Sequence, residues 1–206
     1  MTTSSFDERA ATWDDDPAKV ARSREVAEAI AAAVPVDRTT RMLEYGAGTG
    51  LVTQALRDAV GPVILVDTSA GMRAVIDAKI AAGALPDARV WDVDLATQPP
   101  PDEQVDLVVT VMAMHHVTDI DRVLAAFAEL LVDGGHLCVV DLEEEDGSFH
   151  GEGFDGHHGF APDDLADRLT RAGFTDVGID TVHHIERDGG TYPVFLATGT
   201  RVARPS

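Results

Sequence analysis

Residues 43–50 read Leu-Glu-Tyr-Gly-Ala-Gly-Thr-Gly, and no other run narrows the possible folds of this chain as far. The preceding stretch, Arg41-Met42-Leu43-Glu44-Tyr45, predicts a short buried strand, and Leu51 to Val60 has helical spacing of its apolar residues. Three glycines between a strand and a helix let the backbone turn sharply and approach a ligand with no Cβ in the way. They also aim the free N–H groups of the helix start at whatever lies above them.

The glycine spacing bears on which ligand that is. A dinucleotide loop with G-x-G-x-x-G would place its third glycine at position 51, which is Leu, whereas the third glycine here is Gly50. Glu44, just before the loop, would repel a pyrophosphate and suits a cofactor with positive charge nearby. Those features point to S-adenosylmethionine rather than NAD. Val63-Ile64-Leu65-Val66-Asp67 predicts a second buried strand, with Asp67 lying 21 residues after Gly46. A carboxylate at that strand end can accept both ribose hydroxyls of an adenosine.

At 206 residues and 45% hydrophobic content, the chain suits one α/β domain with a full core. No apolar run reaches the roughly 18 residues of a membrane span. The start, Met1 to Glu8, lacks the basic and apolar regions of a secretory signal. Cys138 is the one cysteine, so no intrachain disulfide is possible and the expected location is cytoplasmic. The net charge of −20, with Lys19 and Lys79 the only lysines, disfavours nucleic acid and anionic membranes as partners. By the same reasoning a cationic or neutral substrate fits better than an acidic one.

Along the chain, the first dozen residues read as polar and extended. Asp14-Asp15-Asp16-Pro17 reads as a helix start, followed by helical spacing of Val20, Val26, Ala27, Ile30 and Val34 up to Pro35. Expected strands are 41–45, 62–67, 88–91, 105–111 and 136–142, with helices near 51–60, 69–82 and 119–132 between them. Gly134-Gly135 reads as the stop after the last of these helices. A further helix runs from Pro162 to Ala172, and two final strands, 176–185 and 191–200, flank the hairpin signal Asp188-Gly189. The alternation predicts a mostly parallel sheet with helices on both faces. The whole chain, 1–206, reads as a single domain: an N-terminal cover and helix over 1–38, then a core over 39–206.

On these motifs the chain resembles a class I S-adenosylmethionine-dependent methyltransferase of the small-molecule type, from Thr40 to Arg201. The resemblance implies a Rossmann-like, seven-stranded sheet whose last strand is antiparallel. It implies that Gly46, Ala47, Gly48 and Gly50 pass beneath the methionine part of the cofactor and that Glu44 helps hold its amino group. Asp67, followed by Thr68, would bind the ribose, and Met72 would lie against the adenine. For the adenine amino group the family uses an Asp after the third strand. Asp94, 12 residues before Asp106, has the family's spacing, with the Leu95 N–H beside it; Asp92 is the alternative. Thr110, at the end of the fourth strand, belongs to the same implied cofactor set. The stretch Met114-His115-His116-Val117 is similar to the family's loop near the transferred methyl and departs from Asn-Pro-Pro-Tyr, which makes nucleobase and peptide-amide acceptors unexpected. Residues Phe6 to Asp14 are similar to the family's N-terminal cover. Trp13 there either closes over cofactor or substrate, or pins the first helix to the core.

Methyl transfer to a protonated acceptor needs in-line alignment and a base, and histidine is the natural base near neutral pH. All eight histidines lie beyond residue 114, six of them in the pairs His115-His116, His157-His158 and His183-His184. The stretch 143–160, rich in His and acids, follows the fifth strand at the sheet edge where ligands bind. Three readings stand for it. It is a solvated acidic lid; or His116 with His150, His157 or His158 forms the acceptor pocket and supplies the base; or its histidines and carboxylates bind a divalent metal. No spacing matches a known metal site, and adjacent histidines are expected to diverge, so no metal ligand is assigned. His116, His150 and His157 are thus the candidate catalytic residues, and Trp13, His115, His116, His150 and His158 the candidate acceptor-binding residues. His136, His183 and His184 read as structural or surface residues.

The expected function is methyl transfer from S-adenosylmethionine to an O, N or S atom of a small molecule. The alternatives are a non-catalytic protein that binds the adenosyl cofactor, a metal-assisted methyltransferase, and an NAD-type oxidoreductase, against which the early third glycine counts. Neither the acceptor nor the oligomeric state is legible in the sequence.

Overall fold

Met42–Tyr45 (β1) and Val63–Val66 (β2) are buried at every position, the pattern of strands covered on both faces. Both are parallel: β1 pairs with β2 on one side and with Val105–Val111 (β4) on the other. Ala88–Trp91 (β3) extends the sheet beyond β2 and is only partly buried, as an edge strand is. Leu131–Leu142 (β5) continues it beyond β4, also parallel. The computed structural model describes residues 3–202; the ends of the expected 1–206 unit, 1–2 and 203–206, lie outside them.

The last two strands form a hairpin, Phe174–Arg187 (β6) and Gly190–Arg201 (β7), and β7 inserts antiparallel between β5 and β6. The resulting order is β3-β2-β1-β4-β5-β7-β6, the seven-stranded, mostly parallel sheet with an antiparallel last strand that the resemblance implies. At the hairpin, Asp188 and Gly189 have φ of 51° and 83°, as a two-residue turn with the twist of its strands requires.

Alternation along β1 sends its side chains to two cores. Leu43 and Tyr45 pack with Ile120–Leu130 (α5) and Pro162–Arg171 (α6) through Val123, Phe127, Leu165 and Leu169. Met42 faces Pro17–Ala33 (α2), Leu51–Leu56 (α3) and Ala70–Ala81 (α4) through Ile30, Leu56 and Ile76. Glu44 shares the parity of Met42 and so is buried on the α3 side, where its partner Thr53 lies.

Three local expectations fail. The first dozen residues are not extended: Thr3–Arg9 (α1) is α-helical and Ala10–Asp15 is 3-10 helical. Tertiary contacts hold them: Asp7 Oδ1 accepts from Ser69 Oγ at 2.5 Å and from Gly71 N at 2.8 Å, capping α4 from outside. Helix α3 stops at Leu56, short of residue 60, where Ala59 N turns back to Leu56 O. Gly134-Gly135 is not the stop of α5, which ends at Leu130. These glycines lie inside the irregular first part of β5, where the register with β4 shifts. Asp16 does start α2, its Oδ1 accepting from Ala18 N, with Pro17 in the first turn.

Candidate active site

The carboxyl ends of β1, β2 and β4 open into a cleft of about 630 Å³, where parallel sheets hold their ligands. One end is floored by the glycine loop. The N–H of Gly48 donates to Asp67 Oδ2 at 2.7 Å, and Ser69 N donates to Asp67 Oδ1 at 2.8 Å. Asp67 thereby ties the loop after β1 to the turn after β2. Burial holds its carboxyl above the usual carboxylate range in spite of these bonds. Gly46 is required by close approach: a Cβ there would sit 2.4 Å from Ala113 Cβ in the loop after β4.

Glu44 lines the same end and is almost fully buried. Its Oε2 accepts from Thr53 N at 3.1 Å and from the Thr53 hydroxyl. Burial outweighs both bonds and pushes its pKa up to about 7. Ala47, Thr68, Met72 and Asp94 also face the cleft. Asp94 spends part of its carboxylate on the local turn, accepting from Ala96 N at 2.9 Å and Thr97 Oγ1 at 3.0 Å. Asp92 is directed elsewhere, into a 2.8 Å ion pair with Arg73.

Three residues expected in the cofactor set do not line the cleft. Gly50 faces the core, where a Cβ would meet Leu65 and Leu85; it starts α3 with φ 78°. The Leu95 side chain is buried in the core under the sheet. Thr110 sits within the sheet between Tyr45 and Val139, fully buried, one residue short of Val111, where the cleft begins.

The other end of the cleft is made of rings. Met112, with φ 53°, redirects the chain after β4 into the 3-10 turn Met114–His116. His115 is buried, its Nδ1 2.6 Å from Asp141 Oδ1, and its backbone N donates to Asp141 Oδ2 at 3.1 Å. Asp141, at the carboxyl end of β5, is itself fully buried. The sequence reading missed it; the signal was a carboxylate closing the otherwise apolar run Leu137 to Leu142. The ring centroids of His115 and His116 are 4.1 Å apart, so the neighbouring side chains converge rather than diverge. His150 completes the group, 4.9 Å from His115 and 5.6 Å from His116. Burial, reinforced by neighbouring histidines, pulls His116 down to about 3; burial and the nearby His115 pull His150 down to about 4.

The segment 143–160 is exposed at many positions but is tied down along its length. Its ends are joined by Glu144 N to Phe160 O at 3.1 Å and Glu145 N to His158 O at 2.9 Å. Glu145 accepts from Phe149 N at 2.9 Å and pairs with His158 at 3.1 Å within the segment, while Glu143 ties it to β6 by accepting from Thr181 Oγ1 at 2.6 Å. Phe154 stacks on His150 at 3.8 Å and 9°, fixing the imidazole plane. His157 and His158, expected in the acceptor pocket, are not part of the cleft lining. His157 Nε2 lies 2.9 Å from Val117 O and its N–H donates to His115 O at 2.7 Å, so it anchors the segment.

The N-terminal segment roofs the cleft. Asp14 Oδ1 accepts from Thr49 Oγ1 at 2.5 Å, and its Oδ2 pairs with Lys79 at 2.6 Å. Trp13 lines the cleft with Lys19 Nζ 4.1 Å and Arg9 Cζ 4.8 Å from its ring centroid, and Phe6 packs edge-on against His116 at 5.3 Å. Arg9, Lys19, Arg22 and Arg187 all line the cleft beside Asp16 and Glu186. With Glu44, Asp67 and Asp94 also in its wall, the cleft carries both signs of charge. Sequence reasoning had not singled out Arg22 or Arg187.

Residues 16–179 match the family model of a methyltransferase domain. The chain belongs to the class I S-adenosylmethionine-dependent methyltransferases. An uncharacterized methyltransferase of Geobacillus kaustophilus is 30% identical over 140 residues, 67% of this chain and 63% of that protein. This methyltransferase thus spans under two thirds of that relative's length. The solved DhpI complex with S-adenosylhomocysteine (SAH) is 26% identical, with a TM-score of 0.73 over 98% of this chain and 96% of that one. A putative methyltransferase solved in complex with the Trm112 activator of Haloferax volcanii shares the fold, with a TM-score of 0.76 and 19% identity over 96% of this chain and 98% of that one. No helix among the described residues is long and apolar enough to cross a membrane.

Proposed function

We propose that this methyltransferase transfers the methyl group of S-adenosylmethionine to an O, N or S atom of a small molecule bound at the His115, His116 and His150 end of the cleft. The observation that carries this reading is continuity: one cavity runs from Glu44, Gly48, Asp67 and Asp94 to the three histidines. The bound cofactor supplies the methyl carbon and the leaving thioether, the C–S bond breaking as the bond to the acceptor atom forms. The residues of the chain bind, orient and manage a proton.

Asp67 accepts the ribose hydroxyls, Met72 supports one adenine face and Asp94 reads the adenine amino group. Glu44 faces the cationic amino group of the methionine moiety, whose charge would draw the Glu44 carboxyl back to its ionised form. Arg22, half-buried in the cleft wall and held down in pKa chiefly by burial, suits the methionine carboxylate. The helical cover with Phe6 and Trp13 excludes water, which would otherwise compete as acceptor. At the far end Asp141 fixes the proton of His115 on Nδ1 and leaves the Nε2 lone pair free, as carboxylate–histidine pairs do. His116 and His150, held down near 3 and 4, are weak proton acceptors, so the base role expected of them moves to His115.

Calorimetry with SAH, S-adenosylmethionine and NAD tests the cofactor half, and methyl transfer from labelled cofactor to a panel of phenols, thiols, amines and carboxylic acids tests the rest. Adenosyl ligands should bind in the micromolar range and NAD should not. Binding of NAD alone would overturn the assignment. Adenosyl binding without transfer to any acceptor class would favour a non-catalytic binding protein.

A further inference from the structure

We propose that His115, His116 and His150 together form a binding site for one divalent transition-metal ion, zinc-like in its preferences, at the acceptor end of the cleft. Nitrogen atoms of the three side chains all lie within 4.8 Å of one another. Small side-chain rotations bring such a set to the roughly 2.0–2.1 Å metal–nitrogen distances of zinc. All three residues line the cleft, so a fourth position faces the space an acceptor would fill.

The surroundings of the cluster favour a metal over a plain polar pocket. His115 gives its Nδ1 to the buried Asp141, the carboxylate–histidine arrangement that orients metal ligands through the opposite nitrogen. His150 Nδ1 is buried and has no hydrogen-bond partner, an uncompensated polar atom in a ring already clamped by Phe154. The rings belong to two chain segments, the turn after β4 and the loop after β5, and the loop is anchored on the turn by His157 and Val117. All-imidazole ligation suits zinc, copper, nickel or iron and not magnesium or calcium.

The inference rests on the proposed methyl transfer for its purpose. An ion there would take the acceptor oxygen or sulfur as its fourth ligand and lower that group's pKa, so that its proton leaves to solvent before the methyl arrives. This narrows the acceptor to a hydroxyl- or thiol-bearing small molecule.

The test uses untagged full-length protein stripped with a chelator. Titration with Co²⁺, followed by visible absorption, should show one ion per chain with the bands of a four- or five-coordinate nitrogen site, and Zn²⁺ should displace it. His150→Ala, in the loop rather than the core, should weaken Zn²⁺ binding at least tenfold. Asp141→Asn should weaken it about 10–100-fold. His183→Ala, which alters a β6 histidine paired with Glu25 of α2, should leave it unchanged. Absence of the Co²⁺ bands, or Zn²⁺ affinity unaltered in His150→Ala, overturns the site. SAH calorimetry on the same samples separates the two proposals: cofactor binding without metal binding sinks only this inference, and metal binding without cofactor binding sinks only the cofactor reading.

Discussion

The two ends of the cleft are built from opposite materials. The glycine-loop end carries carboxylates, Glu44, Asp67 and Asp94, each at or just past the carboxyl end of a parallel strand. The far end carries imidazole and phenyl rings, His115, His116, His150 and Phe154, with a single buried carboxylate, Asp141, behind them. The first arrangement suits a ligand with hydroxyls and a positive charge. The second offers nitrogen lone pairs, with Arg187 close by His150. A sulfonium cofactor and a protonated acceptor make those two demands, and under the proposed function the contrast means that the cleft divides binding from proton management along its length.

Variants should separate the two ends. Asp141→Asn keeps the shape of the side chain but removes the charge that orients His115. Turnover should fall by about 10²–10⁴-fold, while SAH affinity measured by calorimetry stays within about twofold; an equal loss of both would abolish the division. Asp67→Asn is its converse. It removes charge-assisted bonds worth about 1.5–3 kcal/mol each, so SAH binding should weaken by about 10²-fold, and Zn²⁺ binding should not change.

Glu44 sharpens the contrast through pH. Its carboxyl titrates near 7 in the folded chain and near 4.5 when unfolded, so the folded state holds its proton more tightly. Stability from this group is therefore complete below about pH 4.5 and is lost as pH rises through about 7. In Glu44→Gln, chemical denaturation across that window should lose a slope worth at most about 3 kcal/mol. An unchanged pH profile would remove Glu44 from this role. If its charge is restored by the methionine amino group, SAH binding near pH 6 should release a proton, seen as a buffer-dependent binding enthalpy.

Smaller effects probe the ring-lined end and a region outside both. Phe154→Ala removes the ring stacked on His150, and about 1 kcal/mol of local stability should go with it. Hydrogen exchange should quicken over 143–160 and nowhere else. Gly189→Ala places a Cβ at φ 83° in the β6–β7 turn and should lower global stability by about 1 kcal/mol without touching SAH affinity.

The sequence alone determined the succession of strands and helices, the mostly parallel sheet and the final hairpin, and it singled out the residues Glu44, Gly48, Asp67 and Asp94 that line one end of the cleft. Those features rest on local rules: buried strands read as apolar runs, glycines mark the turn, and a carboxylate one residue past β2 needs only its strand to be placed. Where the local rule was met by two causes it misled, as at Gly50, which serves core packing against Leu65, and at Thr110, which stops one residue inside the sheet. The tertiary structure alone decided the rest. His115, His116 and His150 were candidates from the sequence, but Asp141 meets His115 across 26 residues and His150 joins them from a loop, so no spacing in the chain announces their convergence. The helical N-terminus is likewise imposed from outside, by Asp7 on α4 and Asp14 on Thr49 and Lys79. Periodicity records which face of an element is buried; it carries no record of which distant side chain will stand opposite, because that is fixed only when the elements pack.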